Sequence, residues 1–161
     1  MEKEALELYV AHYFGDIPAE GKQLDAWPNH LTLVKPFRLM GGLVLQDVVA
    51  TVSSVGEAHA PLVLNPIGIE DMGPYDNESA FKIERTEALH KLHLDLVHAI
   101  EGLGISFTDR RWILGDYNPH STIKGDFELR SNVVCDSMSL GAWSMGQRFV
   151  AKTVRLGDGT I

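Results

Sequence analysis

Apolar residues fall along this chain in short runs whose period switches between that of a strand and that of a helix. Residues 6–14, LELYVAHYF, are rich in Leu, Tyr, Val and Phe and end at Gly15-Asp16, which predicts a strand and a turn. Residues 17–29 carry Pro18, Gly21 and Pro28 and read as a loop, and residues 30–37 predict a second strand stopped by Pro36. Leu45, Val48, Val49, Val52 and Val55 then recur at helical spacing, with Gly56 placed as a C-cap. Strands are predicted at 61–69 and 80–84, around the turn-rich Gly73-Pro74-Tyr75-Asp76-Asn77. Thr86 is placed to N-cap a second helix with Leu89, Leu92, Leu96, Val97 and Ile100 on one face, closed by Gly102 or Gly104. Residues 120–127 predict another strand, and 132–156 hold two or three more, including 147–154. Many links between neighbouring strands are of hairpin length, which favours an α+β fold with antiparallel sheets over a doubly wound parallel one.

Size and composition narrow this picture. The 161 residues suit one domain made of two intimately packed lobes, and 45% apolar with 22% charged residues is ordinary for a globular protein. The single cysteine, Cys135, has no internal partner and is expected to be a small buried hydrophobe in a reducing compartment. The first residues are acidic, with no apolar stretch behind a basic one. The expectation is a cytoplasmic monomer without a signal peptide or membrane span. A net charge of −8 argues against an extended nucleic-acid surface, so a phosphate-bearing substrate should be small or gripped at one end.

Candidate chemistry lies in a weak internal repeat. Pro28-Asn-His-Leu-Thr-Leu-Val-Lys-Pro-Phe37 aligns with Asn118-Pro-His-Ser-Thr-Ile-Lys-Gly-Asp-Phe127, matching His, Thr, an aliphatic residue and Phe at equal offsets. The repeat suggests two related lobes about a pseudo-two-fold axis. On a strand, residues two apart share a face, so His30 projects with Thr32 and His120 with Thr122, while Leu31 and Leu33 face a core. Two imidazoles and two hydroxyls meeting in one cleft suit phosphodiester cleavage without a metal. One neutral imidazole takes a proton, the other gives one to the departing oxygen, and the hydroxyls donate to the non-bridging phosphate oxygens. Histidine fits because its ordinary pKa of about 6.5 lets both forms exist near neutrality. The other histidines, His12, His59, His90, His93 and His98, read as packed or surface residues. His90 and His93 stand one turn apart, but no third ligand is spaced to complete a metal site.

These residues resemble the two signature motifs of the 2H phosphoesterase superfamily, which includes 2′-5′ RNA ligases and RNA 2′,3′-cyclic phosphodiesterases. HLTL at 30–33 and HSTI at 120–123 both satisfy its His-x-Thr/Ser-x pattern with an aliphatic last position. Ser121 departs from the aliphatic residue often found there. The resemblance spans essentially the whole chain and implies a bilobal α+β fold, two antiparallel sheets lining a central cleft with helices outside. It implies metal-independent, cofactor-free hydrolysis of 2′,3′-cyclic or related phosphodiesters. His30 and His120 would be the acid–base pair, and Thr32 and Thr122 the phosphate-binding hydroxyls. The residues do not say which imidazole is the base, and His120 is the nominal choice.

Supporting candidates are Lys124, four positions after His120 and on its side of an undistorted strand, and Arg111, with Arg110, as a phosphate clamp. Trp27, Phe37 and Tyr117 are candidates to stack on a nucleobase, while alternation turns Lys35 away from the cleft. Two other readings stand beside the cyclic phosphodiesterase: a hydrolase of cyclic oligonucleotide second messengers, and a non-catalytic nucleotide- or phosphate-binding module. Intact His and Thr in both motifs weigh against the module, since a binder needs no pair of proton carriers.

Overall fold

The computed structural model describes residues 6–72, 78–107 and 109–157. Among the described residues, ten strands and two α-helices follow one another in chain order. β1 (Glu7–Tyr13), β2 (Gln23–Leu24) and β3 (His30–Arg38) precede α1 (Leu45–Glu57). Next come β4 (Leu62–Leu64), β5 (Pro66–Met72), β6 (Glu78–Ile83) and α2 (Glu87–Gly102). β7 (His120–Thr122), β8 (Val133–Cys135), β9 (Ser137–Ser144) and β10 (Gln147–Arg155) complete the chain.

The strands form three antiparallel sheets, where two were expected. A five-stranded sheet runs β2-β10-β9-β1-β3, and a three-stranded sheet runs β5-β6-β7 beside the two-stranded ribbon β4-β8. The fold is therefore α+β and bilobal. β3 and β7, the motif-bearing strands, are each an edge of their own sheet, and they lie close together where the lobes meet.

Alternation puts the core on one side of each motif strand. Leu31 and Leu33 are 0% exposed and pack with Val48, Val52, Leu92 and Leu96 of the helices, which leaves His30 and Thr32 on the opposite face. α1 lies against β9 and β10, α2 against β3 and β4, and the two helices touch. Thr86 caps α2 by accepting the Leu89 N–H at 3.2 Å. The helix C-cap is Leu103, one residue beyond Gly102.

Four local expectations change. Pro36 does not stop β3, because β3 is an edge strand and the β1–β3 register shifts near that position, so the missing N–H interrupts no required hydrogen bond. Gly56 lies inside α1 rather than capping it. A Cβ there would stand 2.6 Å from Val154 Cγ1, so the glycine lets the helix approach β10. The single strand read at 61–69 is two, β4 and β5, in different sheets. The strand read at 120–127 ends at Thr122, with Gly125 at φ +58° in the turn that follows. The turn read at 73–77 lies outside the described residues. Among the described residues, no helix is long and apolar enough to cross a membrane.

Candidate active site

The two motif histidines are held in the same way. His30 Nδ1 lies 2.7 Å from the Pro28 carbonyl oxygen, and His120 Nδ1 lies 2.7 Å from that of Asn118. A carbonyl only accepts, so each Nδ1 carries the proton and each neutral ring keeps its Nε2 lone pair free. The acceptor is main chain and sits two residues upstream in both motifs. Exchange of Pro and Asn between the repeats is therefore immaterial.

Burial pushes His30 below the usual imidazole range, opposed by its bond to the Pro28 carbonyl and reinforced by the charges of Lys124 and His120. Thr32 shares the His30 face of β3, opposite Ala11, and Thr122 shares the His120 face of β7, opposite Ala80. All four residues are half-buried, on two strands that lie in contact.

Lys124 reaches the cleft by a route that strand alternation does not describe. β7 has already ended, and the Lys124 ammonium donates to the Trp27 carbonyl at 3.0 Å, in the loop before His30. Arg111 lies with its guanidinium 4.3 Å from the Trp112 ring centroid, and Trp112 meets His120 edge-on at 5.1 Å. Trp27 packs on Tyr9 at 4.9 Å, and Tyr9 in turn lies 5.4 Å from the His30 ring.

Other candidates serve different ends. Tyr117 is 6% exposed, lies 3.9 Å from the His93 ring and donates its hydroxyl to the Thr32 carbonyl at 2.9 Å. It has no open face for a base and supports the site from beneath. Phe37 is core, edge-on to Phe107 at 5.7 Å. Arg110 pairs with Glu101 at 3.3 Å, away from a clamp. Lys35 donates to the Arg111 carbonyl at 3.0 Å and pairs with Asp109 at 3.1 Å, so it fastens the loop that carries Arg111. Ser121 faces away from the cleft, opposite Phe81 and 0% exposed.

Sequence reasoning passed over several neighbours. Trp112 packs against His120, while Trp143 packs on Trp27 and on Tyr9, the residue that meets the His30 ring. Trp112 lies outside the repeat, which is why the alignment does not flag it. Lys82 is directly opposite His120 across β6 and β7 and pairs with Glu70 at 3.1 Å on the same face. Tyr9 and Tyr13, joined hydroxyl to hydroxyl at 2.8 Å, floor the His30 side, and burial pushes the Tyr13 phenol up to about 12. Gly141 allows this packing, since a Cβ there would collide with the Tyr9 ring. A hollow of about 740 Å³ lined by Gly68, Ile69, Phe81, Ile123, Phe127 and Arg130 opens on the Phe81 face and takes in the last residue of the second motif, but no histidine or threonine of either motif.

Comparison with solved structures gives this arrangement a fold. Escherichia coli LigT complexed with NADP+ superposes with a TM-score of 0.59 at 16% identity, covering 98% of this chain and all (100%) of that one. LigT complexed with 3′-AMP gives 0.61 at 15% identity over 95% of this chain and 99% of that one. A phosphoesterase gives 0.58 at 16% identity over 98% and 100%. The chain has the 2H phosphoesterase fold. No protein-family model and no curated protein matches it, and at such identities the likeness is one of architecture. Within that 2H fold, both His-x-Thr segments occupy edge strands where the lobes meet.

Proposed function

We propose that the protein is a metal-independent phosphodiesterase that hydrolyses 2′,3′-cyclic or similar nucleotide phosphodiesters by acid–base catalysis at His30 and His120. The observation that carries this reading is the matched pair of Nδ1–H···O=C bonds, which leaves a free Nε2 on both imidazoles beside one cleft. His30 is the base. Burial, Lys124 and His120 all keep it neutral, which reverses the nominal assignment of the base to His120. Its Nε2 takes a proton from water, the oxygen attacks phosphorus, the phosphorus–oxygen bond to the departing ribose oxygen breaks, and His120, acting in its imidazolium form, gives its Nε2 proton to that oxygen and is left neutral with Nδ1–H on the Asn118 carbonyl. Thr32, Thr122 and the Lys124 ammonium donate to the non-bridging oxygens as their charge grows.

A second reading, hydrolysis of cyclic oligonucleotides, is favoured by one observation. A tryptophan–guanidinium pair stands on each side of the cleft: Arg111 on Trp112 beside His120, and Arg148, 6.0 Å from the ring centroid, on Trp27 beside Tyr9 and His30. Two stacking stations suit a substrate with a base on each side of the scissile phosphate. In either case the protein is read as a cytoplasmic monomer acting on small nucleotides.

The test is turnover of 2′,3′-cyclic nucleotides and of cyclic dinucleotides in EDTA, alongside His30→Ala and His120→Ala. Expected is EDTA-resistant hydrolysis that either substitution lowers by at least about a hundredfold. Activity surviving both substitutions, or lost to EDTA in the parent, sinks the mechanism. No turnover on any substrate, with nucleotide binding retained, moves the protein to the binding-module reading.

A further inference from the structure

Residues 112–117 lead into the second motif along an unusual backbone path. Trp112 and Leu114, neither of them glycine, adopt φ +66° and +55°, a region that L side chains rarely occupy. Something outside the segment must hold it there, and three side chains of α2 and its approach do so.

His93 Nε2 accepts the Leu114 N–H at 2.8 Å, and His90 Nε2–H donates to the Leu114 carbonyl at 2.8 Å. Arg85 donates one guanidinium nitrogen to the carbonyls of Gly115 and Tyr117, at 2.8 and 3.2 Å. Both backbone polar groups of the left-handed Leu114 are therefore bound by imidazoles.

His93 does more than hold this turn. It is 0% exposed, and its Nδ1–H donates to the Leu33 carbonyl at 2.6 Å, in β3. One neutral ring thus joins the first motif strand to the segment preceding the second. Tyr117 stacks on that ring with planes 6° apart and donates to the carbonyl of Thr32, the neighbouring residue of β3. The segment so fixed carries Trp112, packed edge-on against His120, and runs directly into Asn118, whose carbonyl orients the His120 ring.

We propose that His93 is a positioning residue, which with Tyr117 sets the distance and orientation of the His120 half of the site relative to the His30 half. Neither residue touches the cleft. They act through Leu114, Trp112 and Asn118 on one side and through the carbonyls of Thr32 and Leu33 on the other. The pair explains why two strands in different sheets, with no ladder between them, present their histidines as one site.

The proposal rests on His30 and His120 being the acid–base pair, so its test has one readout that depends on turnover and one that does not. His93→Leu, His93→Gln and Tyr117→Phe are assayed on adenosine 2′,3′-cyclic phosphate, and Trp112 emission is read in a Trp27→Phe, Trp143→Phe background. His93→Leu is expected to keep its far-UV circular dichroism, to lose roughly ten- to a hundredfold in kcat with little change in KM, and to shift Trp112 emission to the red. His93→Gln, whose amide supplies one donor and one acceptor, regains most of both. Tyr117→Phe falls between.

A lower melting temperature with kcat and Trp112 emission unchanged overturns the proposal, as does a Gln variant no better than Leu. If His93→Leu does not fold, Tyr117→Phe decides, since it removes a single hydrogen bond. A parent enzyme without turnover defeats the acid–base reading. Trp112 emission unmoved by the substitutions defeats the positioning role separately.

Discussion

Lys124 crosses the cleft to donate to the carbonyl of Trp27 at 3.0 Å, tying the turn after one motif to the loop before the other. Its charge also bears on His30, which burial has already driven down. Lys124→Ala should therefore raise the His30 pKa part of the way to its ordinary value, because one cation opposing the imidazolium is gone. For a base that works when neutral, the acid limb of kcat/KM then moves to higher pH. For the proposed substrate, a 2′,3′-cyclic nucleotide, binding should weaken by roughly tenfold, the worth of a charge-assisted hydrogen bond. An acid limb and affinity both unmoved would place Lys124 outside the site.

The two tryptophan–guanidinium stations can be separated by substrate. Trp27→Ala and Trp112→Ala should each weaken a cyclic dinucleotide by about 1–3 kcal/mol. A 2′,3′-cyclic mononucleotide, with one base, should respond to only one of the two substitutions. Equal losses on both substrates would remove the case for a two-base substrate.

His93 makes stability depend on pH. Burial dominates in holding its imidazole down to about 4, against its bond to Leu33, with His90, Arg85 and His98 adding to the lowering. Between that value and the unfolded pKa of about 6.5 the unfolded chain binds the extra proton, so stability is full above this window and is lost as pH falls through it. The loss is on the order of 3 kcal/mol. His12 and His30, also lowered by burial, act in the same direction. Denaturant unfolding of His93→Leu between pH 7 and 4 should show a shallower decline than the parent. Parallel declines would mean His93 is protonated in the folded state.

Ser121 buries a hydroxyl that finds no hydrogen-bond partner among the described residues. Replacing it with alanine removes an uncompensated polar group at the cost of one atom. Ser121→Ala should raise stability by about 1 kcal/mol in chemical denaturation. A destabilised variant would show that the hydroxyl has a partner.

Gly141 should tolerate nothing larger. Gly141→Ala drives a methyl into the Tyr9 ring and should cost about 1–3 kcal/mol by calorimetry. Because Tyr9 lies between Trp27 and His30, the His30 ring signal in NMR should shift with it. A variant of parental stability would mean that Tyr9 can turn aside without cost.

The two His-x-Thr segments, the faces of β3, the capped helix after Thr86 and the α+β character were legible in sequence. Each follows from local rules: alternation puts His30 and Thr32 opposite Leu31 and Leu33, and helical periodicity gathers Leu89, Leu92 and Leu96. The length of β7, the reach of Lys124 and the use of Tyr117 were not. Each depends on a partner distant in sequence: the Trp27 carbonyl lies 97 residues from Lys124, and the Thr32 carbonyl lies 85 from Tyr117. The same holds for His93, which reads as a core histidine until Leu33 and Leu114 are found at its two nitrogens. Sequence alone determined which residues carry the candidate chemistry, because residue type and period are properties of the chain. Tertiary structure decided what holds them in register, because both motifs end their sheets as edge strands and are joined by side chains rather than by a backbone ladder.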